Sequence, residues 1–267
     1  ELTARVVAGL SVDPRGGVAQ LDSLRAWRSR YAGTSYFRPK AAKIYVDGVM
    51  EAKTAALLAP YIGDSSRGEP RLSPAALDTL VAALDGAGFQ VHVHAMGDRA
   101  IRMTLDAFEF ARLHNGPRDA RPIITHLELI DSTDIPRFAK LGVIASFQPL
   151  WAYADSYITD LTEPILGPVR SRWLYPIGSV ARSGAPLAAG SDWIVSSMNP
   201  FEAIQVAVTR RGPDAAAGPA WIPEELVDLS TMLRAYTLGG AYAAGDEASN
   251  GSLEVGKAAD LIVLDRD

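Results

Sequence analysis

The 267-residue sequence contains no cysteine, which excludes disulfide bonds and thiolate metal ligands. No apolar run approaches the ~20 residues that a helix needs to cross a bilayer. Basic side chains are not in excess, since 26 Lys and Arg stand against 31 Asp and Glu. What remains is a globular composition, 48% hydrophobic, in which any metal must be bound through nitrogen and oxygen. We therefore expect neither a nucleic acid nor a membrane as a partner.

Strand patterns alternate with helix patterns along the chain, which is typical of an α/β fold with parallel strands. Six strands precede the C-terminal tail, whereas a closed (β/α)8 barrel has eight strands in about 250 residues. The predicted strands cover residues 3–9, 43–46, 90–94, 122–126, 143–147 and 186–189, with a last strand at 260–264. The predicted helices cover residues 18–31, 75–87, 100–113, 134–141, a short one ending at 180–183, 200–209 and 227–238, and an aromatic-rich loop covers 148–175. Ser73 is the predicted N-cap of helix 75–87, and helix 134–141 is predicted to be capped by Asp131-Ser132 and ended by Gly142.

Three of the predicted strands end in side chains that bind metals in other proteins. His94 ends one strand in His-Val-His94-Ala-Met-Gly-Asp, His126 ends the next in Thr-His126-Leu-Glu, and Asp192 follows a third. Because catalytic residues of parallel barrels lie at the carboxyl ends of strands, we predict one shared site. In this interpretation Asp192 binds a metal and takes a proton from bound water. The alternative is that Asp192 caps the next helix.

Four neighbouring residues are further candidates, and two of them, His92 and Lys43, are each open to two interpretations. His92 shares a face with His94 one layer deeper, and we interpret it as a packed residue rather than a site residue. Lys43, which begins Lys-Ile-Tyr-Val-Asp-Gly, either extends to solvent at the strand mouth or is paired, deprotonated or modified inside the barrel. Asp98 and Glu128 are candidates for holding a ligand histidine in place.

Aromatic residues are frequent near the predicted strand ends. They predict either an aromatic-lined substrate pocket or ordinary loop packing. The residues concerned are Trp151, Tyr153, Trp173, Tyr175 and Trp193.

Several of these motifs together resemble the amidohydrolase superfamily, in particular the YtcJ-like metal-dependent hydrolases. The resemblance implies a (β/α)8 TIM-type barrel without its first strands, and a remnant of a small β-sandwich domain. Residues 1–245 would form barrel strands 3–8, and residues 246–267 would contribute to the sandwich. The motifs that carry it, in family order, are Lys43-Ile-Tyr-Val-Asp-Gly, His-Val-His94-Ala-Met-Gly-Asp-Arg-Ala, Thr-His126-Leu-Glu, Gly-Ser-Asp192 and Gly251-Ser-Leu-Glu-Val-Gly-Lys-Ala-Ala-Asp-Leu-Ile-Val-Leu-Asp265.

The resemblance also implies roles for individual residues. His94 and His126 would be the metal ligands from barrel strands 5 and 6, and Asp192 would be the strand-8 ligand and general base. Lys43 would be the strand-4 lysine, which in many relatives is carboxylated and bridges two metals. The implied cofactor is a divalent metal, zinc by preference, as one or two ions. The implied activity is hydrolysis of amide-type, non-peptide C–N bonds in a small molecule. Separately from the resemblance, we expect the protein in the cytoplasm.

One departure from the family pattern affects these expectations. Relatives carry a His-x-His pair on strand 1, and no such pair precedes Lys43. We therefore expect the C-terminal part of a longer protein, completed by that protein's N-terminal segment or by a second copy. Hydrolysis by this chain alone would be impaired or absent. The alternatives are an inactive metal-binding fragment or small-molecule-binding module, and a metal-free aldolase that uses Lys43 as a Schiff-base amine.

Overall fold

Six parallel strands form one sheet, in which each strand pairs with its neighbours in chain order. The computed structural model describes residues 3–34, 36–214 and 218–265. The strands are β1 (Val6–Ser11), β2 (Phe37–Tyr45), β3 (Gln90–Ala95), β4 (Ile123–His126), β5 (Ile144–Phe147) and β6 (Leu187–Ala189). The helices are α1 (Leu21–Arg30), α2 (Pro74–Gly86), α3 (Asp98–Asn115), α4 (Ile135–Leu141), α5 (Glu163–Leu166), α6 (Pro168–Ser171), α7 (Ile177–Arg182), α8 (Pro200–Thr209), α9 (Leu229–Arg234) and α10 (Gly240–Ala244).

This sheet confirms the predicted parallel α/β architecture, with helices between successive strands. Within the described ranges β1 and β6 are its two edges and do not pair with each other, so closure into a barrel is not shown. No helix there is both long and apolar enough to cross a membrane. The core lies between the sheet and the helices that cover it, and its fully buried members include Ile44, Leu77, Val93, Ile101, Ile124 and Phe138.

Helix ends follow the predicted signals in some places and not in others. The Ser73 hydroxyl accepts a hydrogen bond from the backbone N–H of Ala76, as predicted for the N-cap of α2. Gly142 ends α4 with a φ of 66°, a conformation that glycine adopts without strain. The predicted cap of α4 by Asp131 and its neighbour is wrong. The Asp131 carboxylate accepts from Thr133 within the preceding turn, before the helix begins.

Two early elements have different bounds from those predicted. The predicted helix 18–31 begins only at Leu21, because residues 14–20 form a tighter turn with Gly17 at a φ of 49°. The strand predicted at 43–46 extends from Phe37 to Tyr45. It includes a bulge, since the register with β1 shifts where Pro39 and Lys40 pass Ala8.

The segment predicted as an aromatic-rich loop is built from short helices. These comprise single turns at 149–151 and 157–162 followed by α5 and α6. Gly167, at a φ of 78°, separates α5 from α6, and a proline follows it at the first position of α6. Prolines and glycine at these spacings limit each helix to about one turn, which is why no helical period was visible in the sequence.

Arg210, which follows α8, connects that helix to the end of the segment of short helices. Its side chain is 1% exposed. Its guanidinium donates to the carbonyls of Leu174, Tyr175 and Trp221, at 3.2, 3.0 and 3.0 Å. The guanidinium carbon also lies 4.7 Å from the Trp221 ring centroid. One buried cation therefore satisfies three backbone carbonyls and joins two distant parts of the chain.

The predicted tail strand at 260–264 is wrong for this structure. These residues have no regular secondary structure, and Leu261 through Leu264 are all exposed. A strand needs a hydrogen-bonding neighbour, and no strand within the described residues lies beside the tail. An ion pair between Arg5 and Asp260 links the tail to the start of the chain. The β-sandwich remnant therefore stays a prediction.

Candidate functional site

The carboxyl edge of the sheet brings two of the predicted ligands into contact. The register places His94 of β3 beside Thr125 of β4, and Ala95 beside His126. The two imidazole centroids are consequently 4.6 Å apart, with their planes inclined at 64°. The strand ends that the sequence singled out at His94 and His126 thus form one site, whereas their metal-binding role stays a prediction.

His94 is held by the loop that follows β2. Its Nε2 lies 2.9 Å from the carbonyl oxygen of Gly48. Because a carbonyl only accepts hydrogen bonds, this contact requires the proton to be on Nε2. Burial lowers the pKa of His94 to about 4, so the ring is neutral at pH 7. Its approach to Asp47, at 3.6 Å, is therefore a neutral ring beside a carboxyl group and not an ion pair.

His126 is held by a side-chain amide and by an aromatic ring. Its Nδ1 lies 2.8 Å from Oε1 of Gln148, and its ring stacks on Trp151 at 5.7 Å between centroids. Burial lowers the pKa of His126 strongly, and the charge of nearby Lys43 lowers it further. His126 has a φ of 82°, in the left-handed region that a residue with a Cβ rarely adopts. Such strain is typical of positions where the site dictates the backbone.

Lys43 and His92 occupy the layer below. The register pairs them across β2 and β3. The Lys43 ammonium lies 5.4 Å from the Tyr45 ring centroid. Burial lowers the pKa of Lys43 to about 8, although the negative charge of Asp192 acts to raise it. Burial lowers the pKa of His92 to about 3. Its Nε2 is buried without a hydrogen-bond partner in the described part of the chain, so the expected packed layer residue is present but incompletely hydrogen-bonded.

Asp192 and Trp193 lie at the rim of the site. Asp192 follows β6 by three residues, is exposed and has a φ of 53°. The negative charge of Asp192 acts to raise the pKa of Lys43. The alternative of Asp192 as a helix cap is wrong, because Asn199 caps α8 by accepting from Phe201. Trp193 is 64% exposed, so any contact with a substrate would be at the entrance.

Neither carboxyl group predicted to hold a ligand histidine does so. Asp98 accepts from the backbone N–H of Leu58 and from that of the next residue, and it starts α3. Glu128 is fully buried, and neither of its oxygens has a hydrogen-bond partner among the described residues. Burial raises the pKa of Glu128 well above its ordinary value. His94 and His126 are held instead by a carbonyl and by an amide, as described above.

Two site residues, Asp47 and Gln148, were missed in the sequence. Asp47 is fully buried and accepts from the backbone N–H groups of Ala56, Met96 and Gly97. Burial raises its pKa to about 6, although these three bonds oppose the shift. Both residues follow strands by one or two positions, so the strand-end rule that found the histidines would also have found them.

The donor chemistry fits a divalent metal, although the ligand set is incomplete. Neutral imidazoles are the form in which histidine binds a metal, and His94 and His126 are both neutral. Counting only His, Asp and Glu, residues 3–34, 36–214 and 218–265 contain no group of three that could hold a metal. Lys43 and Asp192 are the other two predicted ligands, and their metal-binding roles stay predictions.

Comparison with known proteins gives a consistent result along the chain. The sequence model of the Amidohydrolase family matches residues 1–267. The chain is 35% identical over 224 residues to Protein LONG AFTER FAR-RED 3 of Arabidopsis thaliana, covering 83% of the chain and 38% of that protein. It is 30% identical over 229 residues to Putative amidohydrolase YtcJ of Bacillus subtilis, covering 85% and 42%.

A solved structure gives the same result in three dimensions. An uncharacterised metal-dependent hydrolase from Pyrococcus furiosus superposes with a TM-score of 0.80 at 29% identity, covering 100% of this chain and 51% of that one. The chain thus spans about two fifths of the curated relatives and about half of the solved structure.

Proposed function

Since this chain belongs to the amidohydrolase family, we propose that it carries part of the active site of a metal-dependent hydrolase. The bond broken would be an amide-type, non-peptide C–N bond in a small molecule. The observation that carries this proposal is the pair of buried, neutral imidazoles in contact at the carboxyl ends of β3 and β4. Burial disfavours the charged form of both rings, and a histidine ring must be uncharged to bind a metal.

Four side chains would hold the metal, for which zinc is the preferred identity. His94 and His126 would bind through the ring nitrogens left free by their hydrogen bonds, and Lys43 and Asp192 would add oxygen or nitrogen ligands. With a pKa of about 8, Lys43 has a neutral amine in about a tenth of the molecules at pH 7. That amine could attack CO2, forming an N–C bond and releasing a proton, to give an anionic carbamate. A bound divalent ion would polarise a carbonyl and lower the pKa of water.

The remaining roles follow from position. Asp192 is exposed at the rim, where its carboxylate could accept a proton from the attacking water. It would then donate that proton to the leaving nitrogen as the C–N bond breaks. Trp151 stacks on His126 and is half-buried, so one aromatic surface beside the ligands would be available to a substrate.

Zinc binding by the chain tests this proposal directly. We expect His94→Ala and His126→Ala each to lower zinc affinity at least ~10-fold in calorimetric titrations, because each removes a ligand. His114→Ala, at an exposed position near the end of α3, is the matched control and should bind as the unaltered chain does. Equal affinity in all four proteins would reject the site. Zinc binding without amide hydrolysis is compatible with both a hydrolase and a binding module, because hydrolysis by this chain alone is expected to be impaired.

The low pKa of Lys43 also supports a second candidate, a metal-free Schiff-base enzyme. In that case the Lys43 amine would condense with an aldehyde or ketone substrate to an imine and release water. Borohydride would reduce the imine to a secondary amine, which adds the mass of the substrate less one oxygen to Lys43. The chain should form this adduct in the presence of a zinc chelator. If Lys43 is a metal ligand instead, no such covalent product with a substrate should accumulate.

A further inference from the structure

Asp47 joins three parts of the chain at one buried carboxyl group. Its Oδ2 accepts from the N–H groups of Ala56 and Gly97, both at 2.9 Å, and its Oδ1 accepts from Met96 at 3.0 Å. The first partner lies in the loop after β2, and the other two lie in the turn between β3 and α3. Asp47 therefore fixes the loop after its own strand against the turn that follows His94.

In the same loop, the residues on either side of Asp47 both hydrogen-bond to His94. The N–H of Val46 donates to the His94 carbonyl at 3.1 Å, and the Gly48 carbonyl lies 2.9 Å from His94 Nε2. Asp47 Oδ1 is itself 3.6 Å from the same Nε2. A carbonyl dipole and a carboxyl oxygen thus converge on one ring nitrogen, and both favour a proton on it.

Close packing keeps this arrangement from relaxing. A Cβ on Gly48 would lie 2.1 Å from Oγ1 of Thr54, and one on Gly97 would lie 2.2 Å from the Ala56 carbonyl. The turn is thus in backbone contact with the loop at Ala56, and within the loop Gly48 packs closely against the Thr54 side chain. The Gly48 carbonyl has little freedom to move away while these bonds are intact.

We propose that Asp47 is a positioning residue for His94, which holds the Gly48 carbonyl in place, keeps the ring proton on Nε2 and leaves Nδ1 free to bind a ligand. The inference rests on the proposed function only in identifying that ligand as a metal. Its structural part concerns the tautomer of His94, which can be measured in the metal-free chain. A metal-bound histidine whose other nitrogen is fixed by a hydrogen bond binds more tightly than one that must be oriented.

The unaltered chain provides the first test, by long-range ¹H–¹⁵N spectra of its four histidines without metal. We expect His94 to have a protonated Nε2 and an unprotonated Nδ1. A proton on Nδ1 would overturn the proposal, whether or not the chain binds zinc. If the unaltered chain does not bind zinc, the proposed function is rejected and the tautomer assignment is unaffected.

Asp47→Asn provides the second test, because an amide cannot accept from all three N–H groups. We expect the His94 spectrum to move towards a mixture of tautomers and zinc affinity to fall about 10- to 100-fold. Asp85→Asn is the matched control, since Asp85 is a buried carboxylate that accepts from Asn115 and Arg118 instead. A folded Asp47→Asn chain with an unchanged spectrum and unchanged affinity would overturn the proposal. If that chain does not fold, the tautomer in the unaltered chain decides.

Discussion

The buried amine of Lys43 should make the stability of the chain depend on pH in the alkaline range. Its pKa is about 8 in the folded chain and 10.5 when exposed, so the unfolded chain binds more protons between these values. Stability therefore rises with pH in this window, because the folded state has already given up a proton that the unfolded state retains. Linkage with these two values gives a gain of about 1 kcal/mol between pH 7 and pH 9.

Lys43→Met isolates this contribution, because methionine keeps an unbranched apolar chain without an ionisable group. We expect the free energy of unfolding of the unaltered chain, minus that of Lys43→Met, to increase by about 1 kcal/mol from pH 7 to pH 9. Urea titrations at pH 7, 8 and 9 would measure it. The buffers must be free of CO2, so that the amine stays unmodified.

Lys140→Met is the matched control for this measurement. The Lys140 side chain is 70% exposed, and its contact with Glu109 lies on the surface. The corresponding difference for Lys140→Met should stay constant over the same pH range. A Lys43 difference that is flat, or that decreases with pH, would refute the conclusion that burial removes the charge of this amine.

Three further predictions concern other buried positions. Gly97→Ala should destabilise the chain by about 2 kcal/mol or more in urea unfolding, because the new Cβ would lie 2.2 Å from the Ala56 carbonyl. Phe138→Ala, at a fully buried position of α4, should lower the free energy of unfolding by about 3–5 kcal/mol in the same measurement. A loss no larger than that of a substitution at an exposed position would contradict the place of Phe138 in the core. Glu128→Gln should gain stability relative to the unaltered chain from pH 5 to pH 8, because the raised pKa of Glu128 means that only the unfolded chain ionises fully in this range. A relative loss over that interval, in paired melts at the two pH values, would show that Glu128 is charged in the folded chain.

The parts of the fold that were predicted correctly are those with a strong local signal. Strand β3 and helix α2 combine apolar periodicity with a clear start, such as the Ser73 cap, and both lie within a residue or two of their predicted bounds. The tail strand failed because strand formation depends on a partner, which no local pattern in residues 260–264 can supply. The short helices of 149–171 failed because one turn is too short to produce a period.

The site, like the fold, has some features with a sequence signal and others without one. His94 and His126 were predicted to share one site because parallel strands bring their ends together. What the sequence could not give was which group holds each ring. Asp98 and Glu128 were the acids nearest in sequence, whereas Gly48 and Gln148 are the groups nearest in space. Hydrogen-bond partners across strands depend on loop geometry, and that geometry has no signature in residue spacing.

The buried guanidinium of Arg210 has a consequence for protein engineering. The segment from 149 to 173 begins beside Gln148, whose amide is fixed on His126, and ends at the two carbonyls that Arg210 binds. These two attachment points lie outside the segment, so they would survive changes within it. Other attachments lie inside it, because the Ile165 carbonyl accepts from the N–H of Ile62, the Glu163 carboxylate accepts from the Trp221 indole, and Ile158 and Leu166 are buried. Sequence changes in residues 149–173 should therefore be confined to the exposed positions of the segment. Libraries built there would vary the surface around the imidazoles while Arg210 continues to hold the far end in register.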